Sequence, residues 1–204
     1  MRAYQVFSQL LPEDSERIFT ELSKVAPATY SQAIALASAA MNARPGFVMR
    51  QKPAARAETV RRVLSRGKSN EVAEEVLASY FIESRREILI AWLDLVGLEH
   101  EDGILISDNP EQPEAQQLDN AVTTFRRSNK GLPQDRELLL FAFAAQTVID
   151  WPLLEGLTYD VDSDNAAKLA TASAGVSVTG YLTASGHVST GADTGYLRAG
   201  DAND

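Results

Sequence analysis

Residues 70–97 read NEVAEEVLASYFIESRREILIAWLDLVG, and this stretch decides the fold class. Its apolar residues recur every three or four positions, which is the period of an α-helix. Asn70 is a typical N-cap residue, and Gly97 is typical of the position just after a helix. A single helix of this length would be about 40 Å long. A break near residues 84–86 is the alternative, because a serine and two arginines interrupt the apolar pattern there.

Similar helical patterns fill the rest of the first 159 residues. The pattern predicts helices over about 13–25, 27–41, 53–67 and 113–128, another helix after Pro133, and a last turn at 153–155. Residues 138–145 are apolar throughout, which predicts a central buried helix. Residues 46–49 and 103–106 are short apolar runs that we expect to pair as a two-stranded ribbon. The fold class is therefore mostly α, a compact bundle of about six helices with a minor ribbon.

The composition changes near Tyr159 and divides the chain into a helical domain, 1–159, and a tail, 160–204. The tail is rich in Ala, Gly, Ser and Thr, and Gly180-Tyr181-Leu182 recurs at 195–197. We expect a disordered or weakly β tail that serves as a linker, because it has little to bury. A fragment of a β-solenoid and a fusion remnant are the alternatives.

The chain lacks cysteine, which excludes disulfides, thiolate nucleophiles and Cys-ligated zinc. Residues 160–164 begin like a calcium loop, but Asn165 and Thr171 stand where that loop needs glycine and glutamate. His100 has no second histidine nearby. We predict no metal and no cofactor. Apolar runs near the roughly 18 residues that span a bilayer are also absent, so we expect a soluble cytoplasmic protein that does not bind membranes.

Charge is distributed unevenly along the chain. Residues 44–68 include eight basic residues and one acidic residue, a net charge of +7, whereas the whole chain carries −9. This uneven distribution of charge predicts either charge pairing within the molecule or one surface that faces anions. Six cations of this segment are the candidate anion-binding residues: Arg50, Lys52, Arg61, Arg62, Arg66 and Lys68.

Two motifs in this region point to functions that their context does not support. Gly67-Lys68-Ser69 matches the end of a phosphate-binding loop, but Arg62 stands where that loop needs glycine, and the preceding residues are helical in pattern. A helix-turn-helix would place Glu71, Glu74 and Glu75 against DNA phosphates, which repel them. An ordinary helical hairpin explains the same residues.

The sequence favours a non-catalytic interaction module, an adaptor or regulatory protein whose partner is another protein. Trp151, Leu153 and Leu154 are the candidate partner-binding residues, with core packing as the alternative. The second hypothesis is binding of anions or RNA phosphates by the basic segment, Arg44–Lys68. The third is an enzyme whose catalytic residues are distant in sequence.

Overall fold

The computed structural model describes residues 1–107, 109–159, 168–172 and 175–179. Its contacts divide the chain into two units, Met1–Tyr159 and Asp160–Asp204. The described residues of the first unit form ten α-helices, a 3₁₀ turn at Gly67–Ser69 and two short strands. The helices are α1 Ala3–Gln9, α2 Pro12–Val25, α3 Pro27–Ala40, α4 Pro45–Met49, α5 Pro53–Leu64, α6 Asn70–Ser84, α7 Arg86–Val96, α8 Ala115–Arg127, α9 Pro133–Ala144 and α10 Pro152–Tyr159. The strands are β1 His100–Glu101 and β2 Ile104–Leu105. The predicted mostly α fold with a minor ribbon is confirmed.

Proline begins six of these helices, α2, α3, α4, α5, α9 and α10. A proline at the first helical position loses nothing, since its missing N–H would have no partner within the helix. The helices are short; α6, the longest, has 15 residues. None in the described part of the chain combines the length and apolarity needed to cross a membrane.

Helix α6 packs against α1, α2, α3, α5, α7 and α9, and α6, α7 and α9 also pack against each other. A chain of aromatic contacts runs through the core. The ring of Trp92 lies 5.3 Å from that of Phe125 and 5.8 Å from that of Phe143, and Phe143 lies 5.5 Å from Trp151. Almost every residue of the apolar run in α9 is buried, as the all-round apolar pattern predicts.

The stretch 70–97 forms two helices and not one, as the alternative of a break near residues 84–86 has it. Arg85 separates α6 from α7 and has φ −135° and ψ 31°, outside the helical range. Gly97 then ends α7 in the left-handed conformation, with φ +73°.

Two sequence predictions are wrong. Residues 46–49 belong to helix α4, because Pro45 favours a helix start and Val48 anchors the helix in the core. The ribbon pairs β1 with β2 instead, with Glu101 opposite Ile104 and His100 opposite Leu105. Helix α1 also lies before the first predicted helix, expected over about residues 13–25.

The described part of the second unit is one antiparallel pair of strands. Strand β3, Lys168–Ala172, pairs with β4, Gly175–Thr179, in a register that sets Lys168 opposite Thr179. The calcium-loop-like residues 160–164 and the repeats at Gly180 and Gly195 lie outside the described residues.

Candidate partner-binding cleft

An apolar cleft opens between the core helices and the ribbon. It has a volume of about 260 Å³ and is lined by residues of α6, α7, α9, the ribbon and the segment after α9. Among the described lining residues, only Ser107 and Gln146 have polar side chains. The cleft therefore offers apolar surface and no charged group.

The ribbon forms one wall of the cleft, and the tight turn between its strands lets it pack closely on α7. Asp102 and Gly103 both have positive φ, +53° and +90°. Two such residues make the tight turn that joins antiparallel strands, and Asp-Gly is a favoured pair for it. A Cβ on Gly103 would lie 3.3 Å from Cδ2 of Leu89, so glycine also lets the turn pack closely on α7. Arg86 forms an ion pair with Asp102 and fastens the same turn.

Large apolar side chains are exposed at the mouth of the cleft. Ile104 is 60% exposed although it lines the cleft, and Val148 is also an exposed lining residue. Ile106, at the end of the ribbon, is exposed as well. Isolated exposed apolar residues are common, but apolar residues grouped around a concave apolar surface are typical of binding sites.

Four of the six candidate anion-binding residues lie beyond the two ends of α5. Arg50 and Lys52 precede the helix, whereas Arg66 and Lys68 follow it. The 12 residues of α5 span about 18 Å, so these two groups are set apart along the helix axis. All four side chains are exposed, and none of them forms an ion pair with a described residue.

Arg61 and Arg62 are already paired. Both hydrogen-bond the Glu58 carboxylate, Arg61 through two nitrogens at 2.8 and 3.0 Å and Arg62 through Nε at 2.6 Å. Arg61 also donates to the carbonyl of Phe7. Hydrogen bonding from Arg61, followed by that from Arg62, lowers the pKa of Glu58 to about 2. Arg61 thus fastens α5 to α1 and is the least available of the six cations.

The candidate partner-binding residues near α10 are mostly internal. Trp151 is buried and donates a hydrogen bond from Nε1 to the carbonyl of Pro110 at 2.8 Å. Leu154 is also buried, whereas Leu153 is 42% exposed. Only Leu153 therefore presents its side chain to solvent.

Sequence reasoning missed a charged cluster around Asp135, in the first turn of α9. The side chain of Asp135 is 1% exposed. Its carboxylate accepts from Arg17 and Arg85, each at 2.9 Å, and from the Tyr80 hydroxyl at 3.2 Å. The Arg85 guanidinium also lies over the Tyr80 ring, 5.2 Å from its centroid. The cluster joins α2, the α6–α7 junction and α9.

Burial is the main cause of the raised pKa values of Tyr80 and Asp14 in this region. It raises the pKa of Tyr80 to about 12, and the charge of Asp135 acts in the same direction. Burial also raises the pKa of Asp14, against the opposing effect of its partner Arg17. Tyr80 therefore stays a neutral hydrogen-bond donor at physiological pH. The signals in sequence were faint: an arginine at a helix break and an aspartate in a first helical turn.

His100 lies in β1, outside the lining of the cleft. Its Nε2 is 3.3 Å from a carboxylate oxygen of Asp94, and its Nδ1 accepts from the backbone N–H of Gly103 at 3.3 Å. The Nε2 contact holds the ribbon on α7, and the Nδ1 contact lies within the ribbon and its turn. No protein-family model, curated protein or solved structure matches the chain.

Proposed function

We propose that this protein is a non-catalytic interaction module that binds apolar side chains of a partner protein in the cleft between α6, α7, α9 and the ribbon. The observation that carries the proposal is an open cleft, lined almost entirely by apolar groups, with exposed isoleucine and valine at its mouth. Apolar burial supplies most of the driving force for protein association, whereas catalysis needs polar groups that converge on a reacting atom.

The size of the cleft supports a side-chain anchor as its ligand. Pockets for drug-sized molecules have volumes of about 300–1,000 Å³, and this cleft has a volume of about 260 Å³. A site of this size suits one or two large apolar side chains from a protein surface. Interfaces commonly owe most of their affinity to a few anchors of this kind.

Substitution of Ile104 by aspartate tests the proposal. Ile104 is exposed, so the change places a charge at the cleft without disturbing the core. Leu11→Asp is a matched control with the same change in charge. Leu11 is an exposed N-cap residue of α2, where aspartate is favourable.

Tagged wild type and both variants are used for affinity purification from native lysate, with nuclease added, followed by mass spectrometry. We expect a stoichiometric protein that wild type and Leu11→Asp retain and Ile104→Asp loses. Equal retention by all three forms would contradict the proposal, and circular dichroism checks that the variants are folded.

Anion binding is the second candidate function, and the unpaired exposed cations at the two ends of α5 favour it. Phosphate contacts of this kind weaken steeply with salt. RNA binding that collapses between low and moderate ionic strength, and that is lost in Arg66→Glu with Lys68→Glu, would favour this candidate. Binding through the apolar cleft should survive both changes.

A further inference from the structure

A second surface of the molecule complements the cleft. The segment Met41–Lys52, called the corner below, connects α3 to α5 and contains α4. Val48 is fully buried and anchors the corner, whereas Phe47 is 60% exposed and Met49 and Met41 are also exposed. Three large apolar side chains thus project from one short segment.

The corner is held firmly by the helices beneath it. Nη1 of Arg56 donates to the carbonyl of Met49 at 2.9 Å, which fastens the end of α4 to α5. The Arg56 guanidinium also lies over the ring of Tyr30, 6.0 Å from its centroid. Because its backbone is already held in place, the corner loses little conformational freedom on binding, so it can dock at low entropic cost.

The corner and the cleft carry opposite charge. The corner includes Arg44, Arg50 and Lys52 and no acidic residue. The ribbon belongs to the stretch 87–125, which has nine acidic residues and no lysine or arginine. Exposed Glu101 stands opposite Ile104 in the ribbon, and cross-strand partners share one face. A carboxylate therefore lies beside the apolar mouth of the cleft.

We propose that the cleft binds the corner of a second copy of this chain, with Phe47 as the anchor and the cations of the corner facing the acidic ribbon. The inference rests on the proposed function and names its partner. It is carried by complementary chemistry: an exposed apolar segment with basic residues, and an apolar cleft with an acidic side. Opposite charges at the edge of an interface steer association and select the partner.

The two surfaces meet only between molecules. The corner belongs to the part of the fold where α4 packs against α3 and α5, and none of its residues lines the cleft. Because the two surfaces differ, the contact is head to tail, and a pair joined by one such contact has one free corner and one free cleft. The contact is small, so we expect dissociation constants of about 1 μM to 1 mM.

Sedimentation equilibrium of the purified chain across this concentration range tests the proposal. We expect the weight-average mass of wild type to rise from 22.2 kDa to at least that of a dimer, with Leu11→Asp behaving alike. Phe47→Asp removes the anchor and keeps the cleft, whereas Ile104→Asp blocks the cleft and keeps the anchor. Each variant alone should remain monomeric.

Mixing the two variants gives the decisive result. An equimolar mixture should form a dimer and nothing larger, because the one intact corner meets the one intact cleft and no functional end remains. Three outcomes would overturn the proposal: a monomeric wild type throughout, normal association of Ile104→Asp, as in a symmetric corner-to-corner dimer, or a mixture that stays monomeric. A monomeric wild type that still retains a cleft-dependent partner from lysate would reject self-association and leave the proposed function standing.

Discussion

Replacement of Asp135 by alanine should be among the most destabilising single changes in this protein. The carboxylate is nearly fully buried and is shared by Arg17, Arg85 and Tyr80. Removing one partner of a buried ion pair costs about 3–5 kcal/mol, since the remaining charge is left uncompensated. Both arginine side chains are 23% exposed, so water can partly solvate them. We therefore expect a loss near the lower limit, about 3 kcal/mol of unfolding free energy.

Glu137→Ala is a matched control on the same helix. Glu137 pairs with Arg126, but both side chains are partly exposed, and exposed pairs contribute about 0–1 kcal/mol. In thermal unfolding followed by circular dichroism, Asp135→Ala should lower Tm by about 6–12 °C, and Glu137→Ala should change it little. Equal effects of the two substitutions would refute the reasoning that burial makes the Asp135 cluster important.

Two further predictions concern backbone geometry and pH. Gly131→Ala should lower the unfolding free energy by about 1–2 kcal/mol, because φ is +61° and the new Cβ would lie 2.1 Å from Cδ1 of Ile88. Gly46→Ala is the control, since the space around Gly46 is open and the change should not destabilise the protein. Urea unfolding of the two variants compares their stabilities. Glu58→Gln should cost about 1 kcal/mol at pH 7. Since folding lowers the pKa of Glu58 from 4.5 to about 2, chiefly through Arg61, that stabilisation is complete above pH 4.5. Urea titrations at a series of pH values should show the difference between the proteins vanish as the pH falls through about 2.

Helices with a clear apolar period could be predicted from the sequence. The stretch 70–97, the proline starts and the all-apolar run in α9 all reflect local rules that act within a few residues. Helix α4 could not be predicted in the same way. Its five residues are too short to show a period, and burial of Val48 decides its conformation. Tertiary contacts override local preference most easily in such short segments.

The cleft could not be predicted from the sequence either, for a different reason. Its walls come from α6 and from the segment that follows α9, which are about seventy positions apart in the chain. The lining residues of α6, α7 and α9 also fit the apolar patterns of their own helices, so the patterns alone assign them to the core. Only the packing of the ribbon on α7 decides that Ile104 stays exposed.

The Asp135 cluster could not be predicted for the same reason, because its members are far apart in the chain. Asp135 lies 118 residues after Arg17 and 50 residues after Arg85. In sequence, an aspartate in a first helical turn is explained by the helix dipole, and an arginine at a break is explained by solvent exposure. A periodicity argument gives no reason to bring them together, because it predicts faces of helices and not which faces meet.

The uneven charge of the chain left two explanations open, internal pairing or a surface that faces anions, and the structure bears on that choice. Within the described residues, the acidic partner of the basic segment 44–68 is its own Glu58, paired with Arg61 and Arg62. Among its described residues, the acidic stretch 87–125 forms a single ion pair to an arginine, between Asp102 and Arg86. The two oppositely charged segments therefore do not neutralise each other within the described molecule. Exposed charges of this kind act mainly on encounters between molecules, which is where salt should have its largest effect on this protein.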